Sequence, residues 1–252
     1  MSESPIVETR GVTKRFDGFV AVSEVSYRLE PGEAAGIIGP NGAGKTTFFN
    51  LLTGMFPPTS GTVLVRGEDV TRRPAHERVA RGVIRTFQLV SVFDQLSVRE
   101  NLVLSVVRRE DLRSRKGGFF FRDAARSEIT DACGEALALV GLGDKASCAT
   151  SSLSYGDKRK LEIALALSLR PAALLLDEPF AGLSDAEIGE VLELIHRFKE
   201  SFSLVIIEHK ISRIVDLVSR LSVMHEGKLI AEGDPKKVIE EPLVRQVYWG
   251  RA

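Results

Sequence analysis

Cysteine is nearly absent from this sequence: Cys133 and Cys148 are the only two in 252 residues. That excludes a disulfide scaffold, and with no CxxC spacing it gives no zinc site, so a reducing compartment is the simplest setting. Net charge is missing as well. The 34 Lys and Arg balance the 34 Asp and Glu, which argues against nucleic acid as the main ligand, because phosphate backbones are bound through a basic surplus. Long apolar runs are also lacking. The best ones, Leu174–Leu176 and Leu204–Ile207, fall far short of the roughly 20 residues that span a bilayer and read as buried strands. The opening Met1-Ser2-Glu3-Ser4-Pro5 has neither the basic nor the apolar region of a secretion signal. If the protein works at a membrane, other subunits hold it there. There is no internal repeat and no low-complexity tract. What remains is a chain of 44% hydrophobic residues, long enough to bury a core in one domain or in a domain with a subdomain.

The beginning reads as strands and turns. Ile6 to Thr9 opens a sheet, Val20 to Leu29 alternates loosely, and Glu30-Pro31-Gly32-Glu33 is a turn. Ala34 to Ile38 is short and apolar, as a buried strand is. Phe48 to Leu52 reads as a helix stopped by Gly54 and Pro57-Pro58, and Thr62 to Val65 as a strand. The middle has helical spacing and many charges. It is predicted to be a helical subdomain, residues 89–170, inserted between core segments 1–88 and 171–252. Ala136 to Val140 ends one of its helices at Gly141, Lys116-Gly117-Gly118 marks a loose stretch, and Phe119-Phe120-Phe121 reads as core, with a face toward a partner as the other reading. The last third alternates strand and helix. Ile188, Val191, Leu192, Ile195 and Phe198 mark one helix face, with Ser184 and Glu187 spaced as a capping box and Leu183 and Ile188 as a hydrophobic staple. Ile211, Ile214, Val215 and Val218 mark a further helix, and Leu221–Met224 with Lys228–Ala231 a hairpin across Glu226-Gly227. Alternation of this kind predicts an α/β fold with a parallel sheet.

The sharpest local signal is Gly39-Pro40-Asn41-Gly42-Ala43-Gly44-Lys45-Thr46-Thr47, which fits the phosphate-loop pattern G-x4-G-K-[ST]. Glycines let the backbone curl so that several N–H groups converge on phosphate oxygens, and the helix that follows adds its positive end. Lys45 supplies a charge to the terminal phosphates, the Thr46 hydroxyl can ligate Mg²⁺, and Thr47 adds a further contact. By itself the loop says only that the chain binds a nucleoside triphosphate, as transporters, kinases, GTPases and helicases all do. Leu174 to Leu176 then leads into Asp177-Glu178-Pro179, two acids at the end of a buried strand, where ligands of such sheets sit. Asp177 suits Mg²⁺, through water, and Glu178 suits polarising the water that attacks the terminal phosphate.

Leu153-Ser154-Tyr155-Gly156-Asp157 resembles the signature of the ABC ATPases, usually L-S-G-G-Q. With the phosphate loop before it and the acid pair after it, the resemblance covers essentially the whole chain. It implies a P-loop core with an N-terminal antiparallel β subdomain and an inserted helical subdomain. It also implies roles for further residues: Phe16 stacks on adenine, Gln88 reaches Mg²⁺ and senses the γ-phosphate, Asp185 lies in the loop that crosses a dimer interface, and His209 contacts the γ-phosphate. Ser154 and Gly156 bind ATP held by a second ATPase subunit, identical or homologous, so that two subunits close around two nucleotides and reopen on hydrolysis. The implied partners are transmembrane permease subunits and, indirectly, a periplasmic or extracellular substrate-binding protein, with the chain peripheral on the cytoplasmic face of the cell membrane. Tyr-Gly in the signature, Ile84-Arg85-Thr86-Phe87-Gln88, Ile207-Glu208-His209 and Val247-Tyr248-Trp249-Gly250 resemble the branch that imports branched-chain amino acids, urea and amides. Lipopolysaccharide-export ATPases share parts of the pattern, and a soluble ABC ATPase with a regulatory or assembly role is the other reading. Tyr155 and Asp157 depart from the usual signature, and Asp157 would weaken the attraction for the opposite ATP if it pointed inward.

Overall fold

A computed structural model describes residues 4–88, 90–114 and 127–250. The chain divides into two compact units, Met1–Arg85 with Ala172–Pro179 and Phe198–Ala252, and Thr86–Pro171 with Phe180–Arg197. Phe119-Phe120-Phe121 and Lys116-Gly117-Gly118 lie outside the described residues.

The first unit holds two sheets. Strands β1 (Val7–Phe16), β2 (Phe19–Leu29), β4 (Ser60–Val65) and β5 (Glu68–Asp69) form an antiparallel sheet in the order β2-β1-β4-β5. The second sheet runs β10-β9-β3-β8-β7-β6, with β3 (Ala34–Ile38), β6 (Val83–Arg85), β7 (Ala173–Asp177), β8 (Ser203–Glu208) and β9 (Arg220–His225) parallel, and β10 (Lys228–Gly233) antiparallel on the edge. β3, β7 and β8 are buried throughout, which is why they are continuous apolar runs rather than alternating ones. The core gathers Val22, Leu29, Ile37, Phe48, Leu52, Val65, Leu175 and Ile207 from both sheets and from helix α1 (Lys45–Thr53). α1 ends at Gly54, as predicted, and its C-terminal carbonyls have an unpredicted partner. Arg78, on the short helix α2 (Ala75–Ala80), is fully buried and donates from Nη1 to Leu51 O at 2.6 Å and Leu52 O at 2.9 Å. It thereby satisfies acceptors that a helix end leaves open. Burial pulls the Arg78 pKa down to about 10.

The second unit is helical: α3 (Val98–Ser114), α4 (Ser127–Val140), α5 (Tyr155–Ser168) and most of α6 (Asp185–Phe198). The sequence boundary gave all of 171–252 to the core; the structure groups Phe180–Arg197 with the helices. The reason is local bonding. Gly156 at the head of α5 donates its N–H to Glu187 Oε1 of α6 at 3.0 Å, and Lys160 Nζ reaches Glu190 Oε2 at 2.8 Å. The capping box of α6 is formed: Ser184 N–H and Oγ–H both donate to Glu187 Oε2, at 3.0 and 2.8 Å. Ile188, Val191, Ile195 and Phe198 are buried as expected, but Leu194 completes that face and Leu192 is only half-buried.

One expected helix is absent. Ile211 to Val218 makes a 3₁₀ turn at Ile211–Arg213 and then successive turns. Ile214, Leu217 and Val218 are buried, so the apolar spacing is real. It belongs to turns whose hydrogen bonds mix three- and four-residue steps, such as Ile214 N–H to Ile211 O and Val218 N–H to Ile214 O. The short helix α7 (Pro235–Val238) and the amphipathic α8 (Pro242–Trp249) follow the predicted β9–β10 hairpin. Among the described residues no helix is long and apolar enough to cross a membrane.

Candidate functional site: a phosphate loop and a signature helix

The parallel register carries three chain positions to one edge of the sheet in the first unit. Ile38 pairs with Glu208 and Asp177 with Ile207, so the phosphate loop, Asp177 and Glu208 all emerge at the carboxyl ends of neighbouring strands, where such sheets bind ligands. The loop is shaped by glycine at the turn into α1. Gly44 has φ 99°, and a Cβ there would lie 2.4 Å from Ala21 O, so no other residue fits. Ala43 and Lys45 are buried, whereas Asn41, Gly42 and Thr46 are exposed and Thr47 is half-exposed. The Thr46 hydroxyl therefore lies on the open side of the loop.

Lys45 Nζ donates to Gly39 O at 2.7 Å and to Pro40 O at 3.0 Å. Burial pushes its pKa below the ordinary lysine value, while the charges of Glu178, Asp177 and Glu208 push it back up. One ammonium thus faces three carboxylates. Glu178 adopts φ 48° and donates its N–H to Ile207 O at 3.0 Å. A left-handed non-glycine residue is strained by about 1–3 kcal/mol, a cost found at functional positions. Glu208, wholly buried, was missed as a site residue; the visible signal was an acid closing the apolar run Leu204–Ile207. Its carboxylate accepts the His209 N–H at 3.2 Å, and the His209 ring is 40% exposed. Phe16 is 42% exposed, meets Phe56 edge-on at 5.5 Å and has Lys14 Nζ 5.1 Å from its ring centroid, which rules out a core phenylalanine.

The oxygen chemistry fits a hard cation. Thr46, Asp177 and Glu178 offer oxygens, and no cluster of three or more His, Cys, Asp or Glu that could hold a metal occurs among the described residues. Mg²⁺ suits such a place, because it takes one or two protein oxygens and fills the rest of its shell with phosphate and water.

Gln88, Ser154, Gly156 and Asp185 belong to the second unit. Ser154 caps α5, its Oγ accepting the Asp157 N–H at 3.1 Å, and as an exposed hydroxyl it keeps its own proton to donate. Gly156 N–H is held by Glu187, and a Cβ on Gly156 would lie 2.6 Å from Glu187 Oε1. Backbone and side-chain hydrogen bonds from Ser184, and then the Gly156 N–H, hold the Glu187 pKa below the ordinary range. Asp157 is buried. It pairs with Lys145 and, at 2.8 Å, with Lys160. Burial alone would raise its pKa, but these lysines hold it low. Its charge is neutralised inside its own unit, which removes the expected repulsion of an incoming phosphate.

Two further residues of α5 were invisible in the sequence. Arg159 is fully buried and donates from Nη1 to Phe87 O and from Nη2 to Gln88 O, both at 2.8 Å. Glu162 takes the Phe87 N–H at 3.1 Å and pairs with Arg159 at 2.7 Å. The signature helix therefore grips the backbone of the glutamine segment.

Known proteins resemble the chain along nearly its whole length. The ABC transporter family matches residues 22–181. The chain is 38% identical over 258 residues to the high-affinity branched-chain amino acid transport ATP-binding protein LivG of Escherichia coli, covering 98% of this chain and 99% of LivG. It is 36% identical to BraF, of the same description, from Pseudomonas aeruginosa, with the same coverage. It is 34% identical to the lipopolysaccharide export system ATP-binding protein LptB of Acidithiobacillus ferridurans, covering 98% of each. Among solved structures, a nucleotide-free ATP-binding cassette from an ABC transporter superposes with TM-score 0.84 at 27% identity, covering 98% of this chain and 100% of the other. The ADP conformation of another such cassette gives 0.83 at 28% identity, covering 98% and 99%.

Proposed function

The chain belongs to the ABC transporter family and is an ATP-binding, ATP-hydrolysing transport subunit; from that premise we propose that it powers uptake of branched-chain or related amino acids. The observation that supports the substrate class is near-complete coverage of LivG at 38% identity. The partners would be permease subunits in the membrane, which hold the chain at the cytoplasmic face, together with a second ATPase subunit and, at one remove, a substrate-binding protein outside the membrane.

The mechanism assigns work to each residue. The Gly39–Thr47 loop backbone and Lys45 hold the phosphates, and Lys45 exchanges its bonds to Gly39 O and Pro40 O for phosphate oxygens. Phe16, half-exposed, offers its ring to the adenine. Asp177, Thr46 and Gln88 would be the oxygen donors on the metal side, where Mg²⁺ would supply charge neutralisation at the terminal phosphates. Glu178 orients and polarises the attacking water, and His209 donates to the γ-phosphate. Ser154 and the Gly156 N–H contribute to the nucleotide of the partner subunit, with Asp185 near the same interface. Glu187 stands at the head of α5 as an internal anion, satisfying the N–H that a γ-phosphate would take. Closing on ATP therefore requires one anion to replace another.

The test is uptake of labelled leucine, isoleucine and valine by cells lacking this chain. Uptake should be lost, restored by the wild-type chain, and not restored by Glu178→Gln. Normal uptake in the deletion strain contradicts the substrate class. If lipopolysaccharide export fails there instead, the LptB-like reading replaces it.

A further inference from the structure

The nucleotide-site acids have a cationic neighbour that the ATPase reading leaves unused. Arg85 ends β6, and its side chain is 6% exposed. Nη2 donates to Asp177 Oδ2 and Nη1 to Asn50 Oδ1, each at 2.5 Å, and the guanidinium carbon lies 5.6 Å from the centroid of the Phe49 ring. Asp177 is itself 2% exposed at its side chain. Asn50 and Phe49 are on α1, the helix that starts at Lys45. One guanidinium thus ties the carboxylate at the end of β7 to the helix of the phosphate loop, all within the first unit.

Stability alone is a poor reason for this arrangement. Burying two charges costs desolvation that a well-packed apolar pair avoids. An ammonium could supply the charge, but only the planar guanidinium reaches a carboxylate and an amide oxygen with separate nitrogens while lying over a ring. We propose that Arg85 is a positioning residue for the divalent cation. By binding Oδ2 it fixes the rotation of the Asp177 carboxylate and leaves Oδ1 for the cation's water shell. It also keeps the carboxylate in register with α1, and so with Thr46. Removing a partner that orients a metal-side group in this way typically costs about 10–100-fold in metal affinity. The proposal rests on the reading of Asp177 as the metal-side acid.

The experiment measures free Mn²⁺ by electron paramagnetic resonance during titration of the ATP complex. It uses the full chain in a Glu178→Gln background that arrests turnover. Arg85→Met, Arg85→Lys and Asp177→Asn are compared, each with its thermal midpoint and its ATP affinity in EDTA. Arg85→Met should weaken Mn²⁺ binding about 10-fold or more while ATP affinity in EDTA changes less than about twofold, and Arg85→Lys should fall between it and the parent. If Asp177→Asn weakens Mn²⁺ binding and Arg85→Met does not, or if Arg85→Met binds Mn²⁺ more tightly, the proposal is overturned and the reading of Asp177 stands. If Asp177→Asn leaves Mn²⁺ binding unchanged, that reading fails and takes the proposal with it. Should Arg85→Met not fold, Arg85→Lys decides: weaker Mn²⁺ binding at an unchanged thermal midpoint supports the positioning role, and parental binding refutes it.

Discussion

At the head of α1, an amide-rich loop is formed by glycine conformation, and a buried lysine faces Asp177, Glu178 and Glu208. At the head of α5, a carboxylate of the same chain, Glu187, already holds the Gly156 N–H, and the nearby acid Asp157 is matched by Lys145 and Lys160. The first region sets three carboxylates against Lys45 and Arg85 and holds Lys45 on two backbone carbonyls; the second is internally satisfied. A region of the first kind, with more carboxylates than cations, gains by taking up a polyanion together with its divalent cation. One of the second kind gains only when an incoming anion outcompetes an internal one, and so suits a contact that must form and break in each cycle.

The largest effect expected from disturbing this contrast is at the buried grip of α5. Arg159→Met leaves Glu162 buried and unpaired and should cost about 3–5 kcal/mol, lowering the thermal midpoint by roughly 10 °C. Burial holds the Glu162 pKa above the ordinary range even with Arg159 present, so the double change Arg159→Met with Glu162→Leu should recover part of that loss. A double variant no more stable than the single one would show that the ion pair is not the source. In the first region, Lys45→Ala should weaken ATP binding by about 2–5 kcal/mol, which isothermal titration would read as about 30-fold or more. Unchanged affinity would remove the lysine from the account.

Asp157→Asn tests the internal balance through pH. Its folded pKa is held below the ordinary value, so it contributes stability above the unfolded pKa, near about 4, and loses it as pH falls through the folded value. The wild type should exceed Asp157→Asn by about 1.5–3 kcal/mol at pH 7, with the gap closing below about pH 4. A gap independent of pH would contradict the ion pairs. The smallest effect belongs to Ser184→Ala, which removes the α6 cap and should cost about 0.5–2 kcal/mol. Loss of hydrogen-exchange protection in the first turn of α6 would locate it, and unchanged protection there would deny the cap.

What the sequence revealed follows the same division. The phosphate loop, the Asp177-Glu178 pair and the α6 capping box are local patterns, set within a few residues by glycine conformation or helix-end bonding. They were legible one segment at a time, as was the hairpin at Glu226-Gly227, where both residues have positive φ. Arg85 with Asp177 and Arg159 with Gln88 are 92 and 71 residues apart, and no local pattern marks one as the partner of the other. The turns of Ile211 to Val218 were misread as a helix because three- and four-residue steps bury the same positions in either form. The boundary of the helical unit was misplaced at α6 because bonds such as Gly156 to Glu187, rather than chain order, decide which unit that helix joins.

The most direct test of the account is to measure ATP turnover and ATP affinity together in Glu178→Gln. The loop, Lys45 and Asp177 are untouched by that change, so affinity should stay within about threefold, a shift of under one kcal/mol. Turnover should fall by about 10²–10⁴, the contribution of a positioned general base. Parental turnover at parental affinity would contradict the assignment of Glu178 and, with it, the hydrolytic centre placed at the end of β7.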